Sequence, residues 1–235
     1  MSSTNVKRLS APSAHQVAIF DHLLNSTANL LVQAVAGSGK TTTIIEAMRL
    51  MQEANPDLVC YYVVFNKANA TEAQERLAGT TVTATTMHSL GFRSMSRMRL
   101  RIGKDLYKTS KGLETGLSKQ EMKSLLPFAR RMVGLARAVG IGVEGMIDNT
   151  LPSWIALAGE HGIEVGEGCS LAQGCSLAMK LLALSMQEAE HKSIDFDDML
   201  YLSVHQDFGG RFPKCDVLFV DEAQDMSPVQ IEMIA

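Results

Sequence analysis

The chain has 235 residues, of which 46% are hydrophobic and 20% are charged, with a formal net charge of -3 at pH 7. This length is enough to bury the core of one large domain, or of a domain with an insertion. No apolar run reaches the ~18 residues of a transmembrane helix, and residues 1–15 lack the apolar core of a signal peptide. We therefore expect a cytoplasmic protein with no membrane partner.

The cysteines and histidines show no metal-binding pattern. The four cysteines are scattered, and the one close pair, Cys169 and Cys175, is separated by five residues. Zinc sites usually space paired cysteines by roughly two to four residues. The sequence therefore predicts buried or incidental free thiols rather than zinc ligands.

The first predicted element is a helix that Ser13 can cap, with apolar residues between Val17 and Leu24 and with Gln16 in its first turn. A glutamine amide offers one donor and one acceptor, which is the pair needed to bind the N6 and N7 edge of adenine. Taken alone, Gln16 fits a surface glutamine as well.

An apolar run and a glycine-containing loop come next. Residues 30–32 predict a strand, residues 34–41 a phosphate-binding loop and residues 42–48 a helix. The combination is typical of a site where phosphate lies at the N-terminus of a helix. An ordinary glycine turn is the alternative.

The residue types of this loop match the chemistry of phosphate binding. Gly37 and Gly39 let backbone N–H groups turn towards phosphate oxygens, and the helix N-terminus adds partial positive charge. Lys40 is placed to reach the β and γ phosphates, and Thr41 to ligate Mg²⁺.

The following segments alternate between helix and strand. The helix ends before Pro56, residues 58–65 form an apolar run typical of a buried parallel strand, residues 68–77 predict a helix and residues 81–85 a third strand. This alternation predicts an α/β fold with a parallel sheet flanked by helices. Polar groups at residues 37–41, 65–67 and 86–89 then fall at carboxyl ends of strands, where such sheets bind ligands.

Residues 93–192 predict a mainly helical insertion, in which Phe128 and Trp154 are expected in the core and residues 159–174 in a loop or weak hairpin. Residues 93–131 carry eleven lysines and arginines against three acids, a local excess of eight positive charges. Screening limits charge effects to about 8 Å, so a polyanion responds to this local excess. Arg97, Arg99 and Arg101 are candidate DNA-binding residues within it, and a solvated basic face is the alternative.

The sheet is expected to resume after residue 193. The acids of residues 195–198 suit either a metal site or the capped start of a helix, and residues 216–220 predict another buried strand. Asp221 and Glu222 follow this strand, with Asp221 suited to hold Mg²⁺ and Glu222 to act as the base that orients the attacking water. A capped helix start, with the next helix beginning at Ser227 and Pro228, is the alternative.

These motifs, in this order, closely resemble the superfamily 1 DNA helicases of the UvrD/Rep type. The resemblance covers nearly the whole chain and is most specific at the last motif. It rests on Gln16, Ala36-Gly37-Ser38-Gly39-Lys40-Thr41-Thr42, Phe65-Asn66-Lys67, Thr86-Met87-His88-Ser89, Asp195-Phe196-Asp197-Asp198-Met199-Leu200 and Asp221-Glu222-Ala223-Gln224-Asp225.

The resemblance implies a RecA-like P-loop NTPase domain 1A at residues 1–92 and 193–235, interrupted by subdomain 1B at residues 93–192. It implies ATP hydrolysis with Glu222, Lys40 and Gln224 as catalytic residues, and Mg²⁺ bound by Thr41 and Asp221. The implied ATP-binding residues are Gln16, Ala36, Gly37, Ser38, Gly39, Lys40, Thr41 and Thr42.

The resemblance also implies 3′ to 5′ movement on single-stranded DNA, with subdomain 1B at the duplex junction. The sequence does not distinguish whether such a helicase serves DNA repair, replication or recombination. The candidate DNA-binding residues are Phe65, Asn66, Thr86 and His88, together with Arg97, Arg99 and Arg101.

The sequence also departs from the family pattern. Met87 stands where phenylalanine is common, Ala34 stands where many phosphate loops have glycine, and nothing after Asp225 resembles the family's later motifs. Those motifs belong to a second RecA-like domain, whose arginines contribute about 10³ to 10⁵ in rate where such fingers have been measured. We therefore expect the 235 residues alone to bind ATP weakly and to hydrolyse it slowly. The alternative is a non-hydrolysing module, derived from a helicase, that binds nucleic acid or a partner.

Overall fold

The computed structural model describes residues 11–103, 105–113 and 116–235. These residues form two compact units: a sheet unit, made of residues 11–87 and 213–224, and a helical unit, made of the described residues of 88–212 and 225–235. The helical unit is longer than the insertion predicted over residues 93–192, because the chain on both sides of that span packs with it. Among the described residues, no helix is long and apolar enough to cross a membrane.

The secondary structure follows the predicted alternation of helices and strands. The helices are α1 (Ala14–Asn25), α2 (Lys40–Ala54), α3 (Lys67–Arg76), α4 (Met87–Ser94), α5 (Leu106–Thr109), α6 (Lys119–Val139), α7 (Leu151–Glu160), α8 (Leu171–Glu190), α9 (Phe196–Val204) and α10 (Pro228–Glu232). The strands are β1 (Cys60–Val64), β2 (Thr83–Thr86), β3 (Arg101–Ile102), β4 (Ser193–Ile194) and β5 (Val217–Val220).

The sheet unit contains a parallel three-stranded sheet in the order β2-β1-β5. β1 is the central strand and is almost entirely buried, as its continuous apolar sequence predicts. The core of the sheet unit includes Ile45 and Met48 of α2, Leu77 after α3, and Cys60 and Tyr62 of β1. The predicted α/β class is confirmed.

The prediction of a strand before the phosphate loop is wrong. Residues 30–32 have no strand pairing, and Leu31 is 76% exposed. A strand requires a hydrogen-bonded neighbour as well as an apolar sequence. Among the described residues β5 pairs with β1 alone, so its four apolar residues are only half-buried instead of buried as predicted.

The helical unit is built around α6 and α8. Its core contains Phe128 and Trp154, as predicted from the sequence, together with Leu125 and Leu181. Of the loop or weak hairpin predicted over residues 159–174, residues 161–170 are irregular, whereas its two ends belong to helices α7 and α8. The unit also contains a parallel pair of two-residue strands, β3 and β4, which are too short to give an alternating pattern in the sequence.

The acids at the start of α9 cap this helix. The Asp195 side chain accepts a hydrogen bond from the Asp198 backbone N–H, and the Asp198 side chain accepts one from the Asp195 N–H. Arg137 of α6 donates to both Asp195 carboxylate oxygens at 3.1 and 3.0 Å and forms an ion pair with Asp198 at 3.1 Å. Because these carboxylates serve the cap and the arginine, the structure supports capping rather than a metal site.

Candidate functional site

The phosphate loop leads directly into the N-terminus of α2. Gly37 and Gly39 have φ angles of 77° and 83°, a left-handed conformation that other residues rarely adopt. Gly39 is the N-cap of α2, and no side chain caps the helix there. The first N–H groups of a 15-residue helix are therefore available to an anion, and the helix dipole favours negative charge at that position.

Lys40 and Glu222 meet at this helix end. The Lys40 Nζ lies 3.6 Å from Glu222 Oε1, and the Gln224 side-chain amide donates to Glu222 Oε2 at 2.6 Å. The Gln224 hydrogen bond and the Lys40 charge lower the pKa of Glu222, which keeps it ionised at neutral pH. The structure thus brings the three predicted catalytic residues together.

The backbone at Glu222 is strained. Its φ angle is 51°, which is uncommon for a residue with a side chain and costs roughly 1–3 kcal/mol. Such conformations are often found at ligand sites, where the surrounding structure holds them in place. Here the strained residue is the predicted catalytic base.

Asp221 immediately precedes Glu222 and is held by two hydrogen bonds. Its Oδ1 accepts from the Glu222 backbone N–H at 3.0 Å, and its Oδ2 accepts from the Tyr62 hydroxyl at 2.8 Å. Burial raises the pKa of the Tyr62 hydroxyl, and the hydrogen bond to Asp221 raises it further. Tyr62 therefore remains protonated and acts as the donor.

The oxygen groups at this site fit Mg²⁺ in the presence of a nucleotide. Magnesium prefers oxygen ligands and is usually held by one or two carboxylates together with phosphate oxygens and water. Asp221 supplies a carboxylate and Thr41 an exposed hydroxyl in the first turn of α2. Among the described residues no group of three or more His, Cys, Asp or Glu side chains could hold a metal. Phosphate oxygens of the nucleotide, with water, would therefore have to supply the remaining Mg²⁺ ligands.

Gln16 has a structural role in the cap of α1 and in a contact with α2. Its Oε1 accepts from the Ser13 N–H at 2.9 Å to complete the cap of α1, and its Nε2 donates to the Thr43 hydroxyl at 2.8 Å. Thr42, next to Thr43, accepts from Arg76 at 3.3 Å. The hydrogen bonds to Ser13 and Thr43 fix the Gln16 side chain between the start of α1 and α2. Contact of Gln16 with adenine stays a prediction.

The predicted DNA-binding residues of the sheet unit differ in exposure. Phe65, directly after β1, is 72% exposed. Asn66 caps α3 by accepting from the Asn69 N–H at 2.8 Å, and Thr86 is buried at the end of β2. Of these three, Phe65 offers the most surface to a ligand.

The predicted DNA-binding residues of the helical unit are accessible. Arg97, Arg99 and Arg101 are exposed, and His88 is half-buried. The His88 ring packs edge-on against Phe196, with 6.0 Å between ring centroids, and Phe196 is 63% exposed. Burial lowers the pKa of His88, which leaves its ring neutral at pH 7. Lys104, another basic residue of the segment 93–131, lies outside the described residues.

The phosphate loop, Lys40 at a helix N-terminus and the acids at the end of β5 define a P-loop nucleotide-binding domain. The AAA domain family matches residues 16–235, and the chain belongs to this family. It is a P-loop NTPase family that is found in UvrD/Rep-like helicases. No curated protein and no solved structure matches the chain significantly.

Two residues, Tyr62 and Phe196, have roles that the sequence alone does not indicate. Tyr62 lies inside an apolar strand, where nothing in the sequence marks its hydroxyl as a partner of Asp221. Phe196 lies in the motif of residues 195–200, but an apolar residue between acids is typical of the start of any amphipathic helix, so the sequence indicates no functional role for it. Its exposure is evident only in the fold.

Proposed function

We propose that this protein is the ATP-hydrolysing part of a DNA helicase or translocase that acts on single-stranded DNA. The observation that carries the proposal is the contact of Lys40 with Glu222, which Gln224 supports by a hydrogen bond. A phosphate-binding lysine, a carboxylate base and an amide that contacts this base form one connected group at the end of the sheet. The motif order and the AAA domain family agree with this assignment.

In the proposed reaction, the triphosphate binds at the N-terminus of α2 and draws Lys40 away from Glu222. The freed carboxylate accepts a proton from a water molecule as the oxygen of that water attacks the γ phosphorus. The bond between the γ phosphorus and its bridging oxygen breaks, which releases ADP and phosphate. Thr41 and Asp221 would hold Mg²⁺, which would supply neutralisation of the phosphate charge.

Loss of the Lys40 side chain is expected to weaken binding of Mg·ATP about 10- to 100-fold. A hydrogen bond to a charged group contributes about 1.5–3 kcal/mol, and about 1.4 kcal/mol corresponds to a factor of ten. We would measure the affinity of Lys40→Ala for a fluorescent ATP analogue by equilibrium titration. Lys214→Ala is the matched control. Lys214 is an exposed lysine that precedes β5, whereas Asp221 and Glu222 of the predicted site follow β5. Equal affinities for the two variants would contradict the assignment.

Each unit carries its own candidate residues for contact with single-stranded DNA. In the sheet unit the candidate is Phe65, and in the helical unit the candidates are His88, Phe196 and the basic segment, residues 93–131. The exposed aromatic rings suit stacking on bases, and the arginines suit contacts with phosphates. A neutral His88 beside Phe196 favours the stacking role over charge pairing.

Replacing Arg97, Arg99 and Arg101 by glutamate is expected to weaken binding of an oligothymidine and to flatten its salt dependence. The plot of log affinity against log salt has a negative slope. For single strands, each lost phosphate contact makes this slope about 0.7 less negative. The affinity is measured by fluorescence anisotropy over a series of salt concentrations. The control replaces Lys180, Arg211 and Lys214, which are exposed and lie outside residues 93–131, by glutamate. A similar slope for both triple variants would favour the alternative, in which residues 93–131 form a solvated basic face that does not bind DNA.

A further inference from the structure

Tyr62 connects the middle of the sheet to the predicted metal ligand. It has no exposed surface and belongs to the core that α2, α3 and β1 share. Its partner in the sheet register is Phe219 of β5. Because side chains alternate along a strand, Asp221 lies on the same face as Phe219, within reach of the Tyr62 hydroxyl at 2.8 Å.

The two hydrogen bonds of Asp221 orient the carboxylate without saturating it. One oxygen accepts from the Glu222 N–H and the other from Tyr62. A carboxylate has about four lone-pair sites, so each oxygen keeps one for a cation or for its bound water. Rotation of the carboxylate would break at least one of the two bonds.

We propose that Tyr62 is a positioning residue for Mg²⁺, because its hydroxyl holds the Asp221 carboxylate in the orientation that binds the metal. The inference rests on the proposed function, since Mg²⁺ is required here only when a nucleotide is bound. Groups that orient metal ligands typically change metal affinity about 10- to 100-fold when they are removed. A phenylalanine would fill the same space in the core without orienting the carboxylate.

The test is a Mg²⁺ titration of Tyr62→Phe in the presence of a fluorescent ATP analogue. We expect the Mg²⁺ concentration for half-maximal tightening of nucleotide binding to rise about 10-fold or more. Nucleotide affinity in EDTA is expected to stay unchanged, because the phosphate loop and Lys40 are intact. A general loss of structure would lower both affinities, so the EDTA measurement separates the two roles.

Tyr61→Phe is the matched control, since Tyr61 precedes Tyr62 and its side chain lies on the opposite face of β1. It is expected to titrate like the wild type. Asp221→Asn is expected to lose most of the Mg²⁺ effect. A wild-type titration for Tyr62→Phe, combined with a loss for Asp221→Asn, would overturn the inference about Tyr62 alone. A wild-type titration for Asp221→Asn would overturn the metal assignment in the proposed function as well.

Discussion

Replacement of Glu222 by glutamine is expected to slow ATP hydrolysis about 10²- to 10⁴-fold, which is the usual contribution of a general base. Glutamine keeps the size of the side chain but cannot accept the proton of the attacking water. We expect nucleotide affinity to stay the same or to become tighter. The substitution removes a negative charge from the phosphate site and frees Lys40 from its ion pair at 3.6 Å.

Product release limits turnover in many enzymes. The assay therefore uses protein in excess over radiolabelled ATP and follows phosphate release in a single turnover, which reports the chemical step. Gln224→Ala is an informative companion variant, because it removes the amide that donates to Glu222 at 2.6 Å but leaves the base in place. Equal rates for Glu222→Gln and the wild type would rule out Glu222 as the base.

Replacement of Arg137 by alanine is expected to destabilise the helical unit by about 3–5 kcal/mol, the usual cost of removing one partner of a buried ion pair. The Arg137 side chain is 1% exposed and bonds to Asp195, Asp198 and the Ser185 hydroxyl. Burial lowers the pKa of Arg137, but Asp198 and Asp195 outweigh burial and the net shift is upward. Without the guanidinium group, two carboxylates at the start of α9 would lose their counter-charge.

Urea denaturation followed by circular dichroism gives the change in unfolding free energy. A domain has only about 5–15 kcal/mol of stability, so the alanine variant is expected to unfold at much lower urea concentration. Arg131→Ala is the control, because Arg131 lies on α6 but is exposed, and such substitutions usually stay within about 0.5 kcal/mol. If both variants unfold alike, the network around Arg137 does not stabilise the unit.

The order of elements could be predicted because its signals are local. The continuous apolar sequence of β1, the caps at Ser13 and Asp195 and the glycines before α2 each determine structure within a few residues. Local signals also explain the error at residues 30–32. Their apolar sequence fits a strand, but pairing depends on a neighbour elsewhere in the chain.

The contacts of the site were less predictable because they join distant parts of the chain. The motif pattern placed Lys40, Asp221 and Glu222 at one edge of the sheet, and the structure brings Lys40 and Glu222 into contact. Tyr62 and Asp221 are 159 residues apart, and their hydrogen bond depends on the register of β1 against β5. The Gln16 cap on α1 is instead a local contact, which the Ser13-x-x-Gln16 spacing of a capping box indicates. Its hydrogen bond to Thr43, 27 residues away, has no such local signal.

The most direct test of the account is a comparison of Mg·ATP binding by the wild type, Lys40→Ala and Glu222→Gln in one equilibrium titration. If phosphate replaces Glu222 as the partner of Lys40, the lysine variant loses most of its affinity, whereas the glutamine variant binds at least as tightly as the wild type. Equal loss of binding in both variants, or no loss in Lys40→Ala, would contradict this assignment of the site.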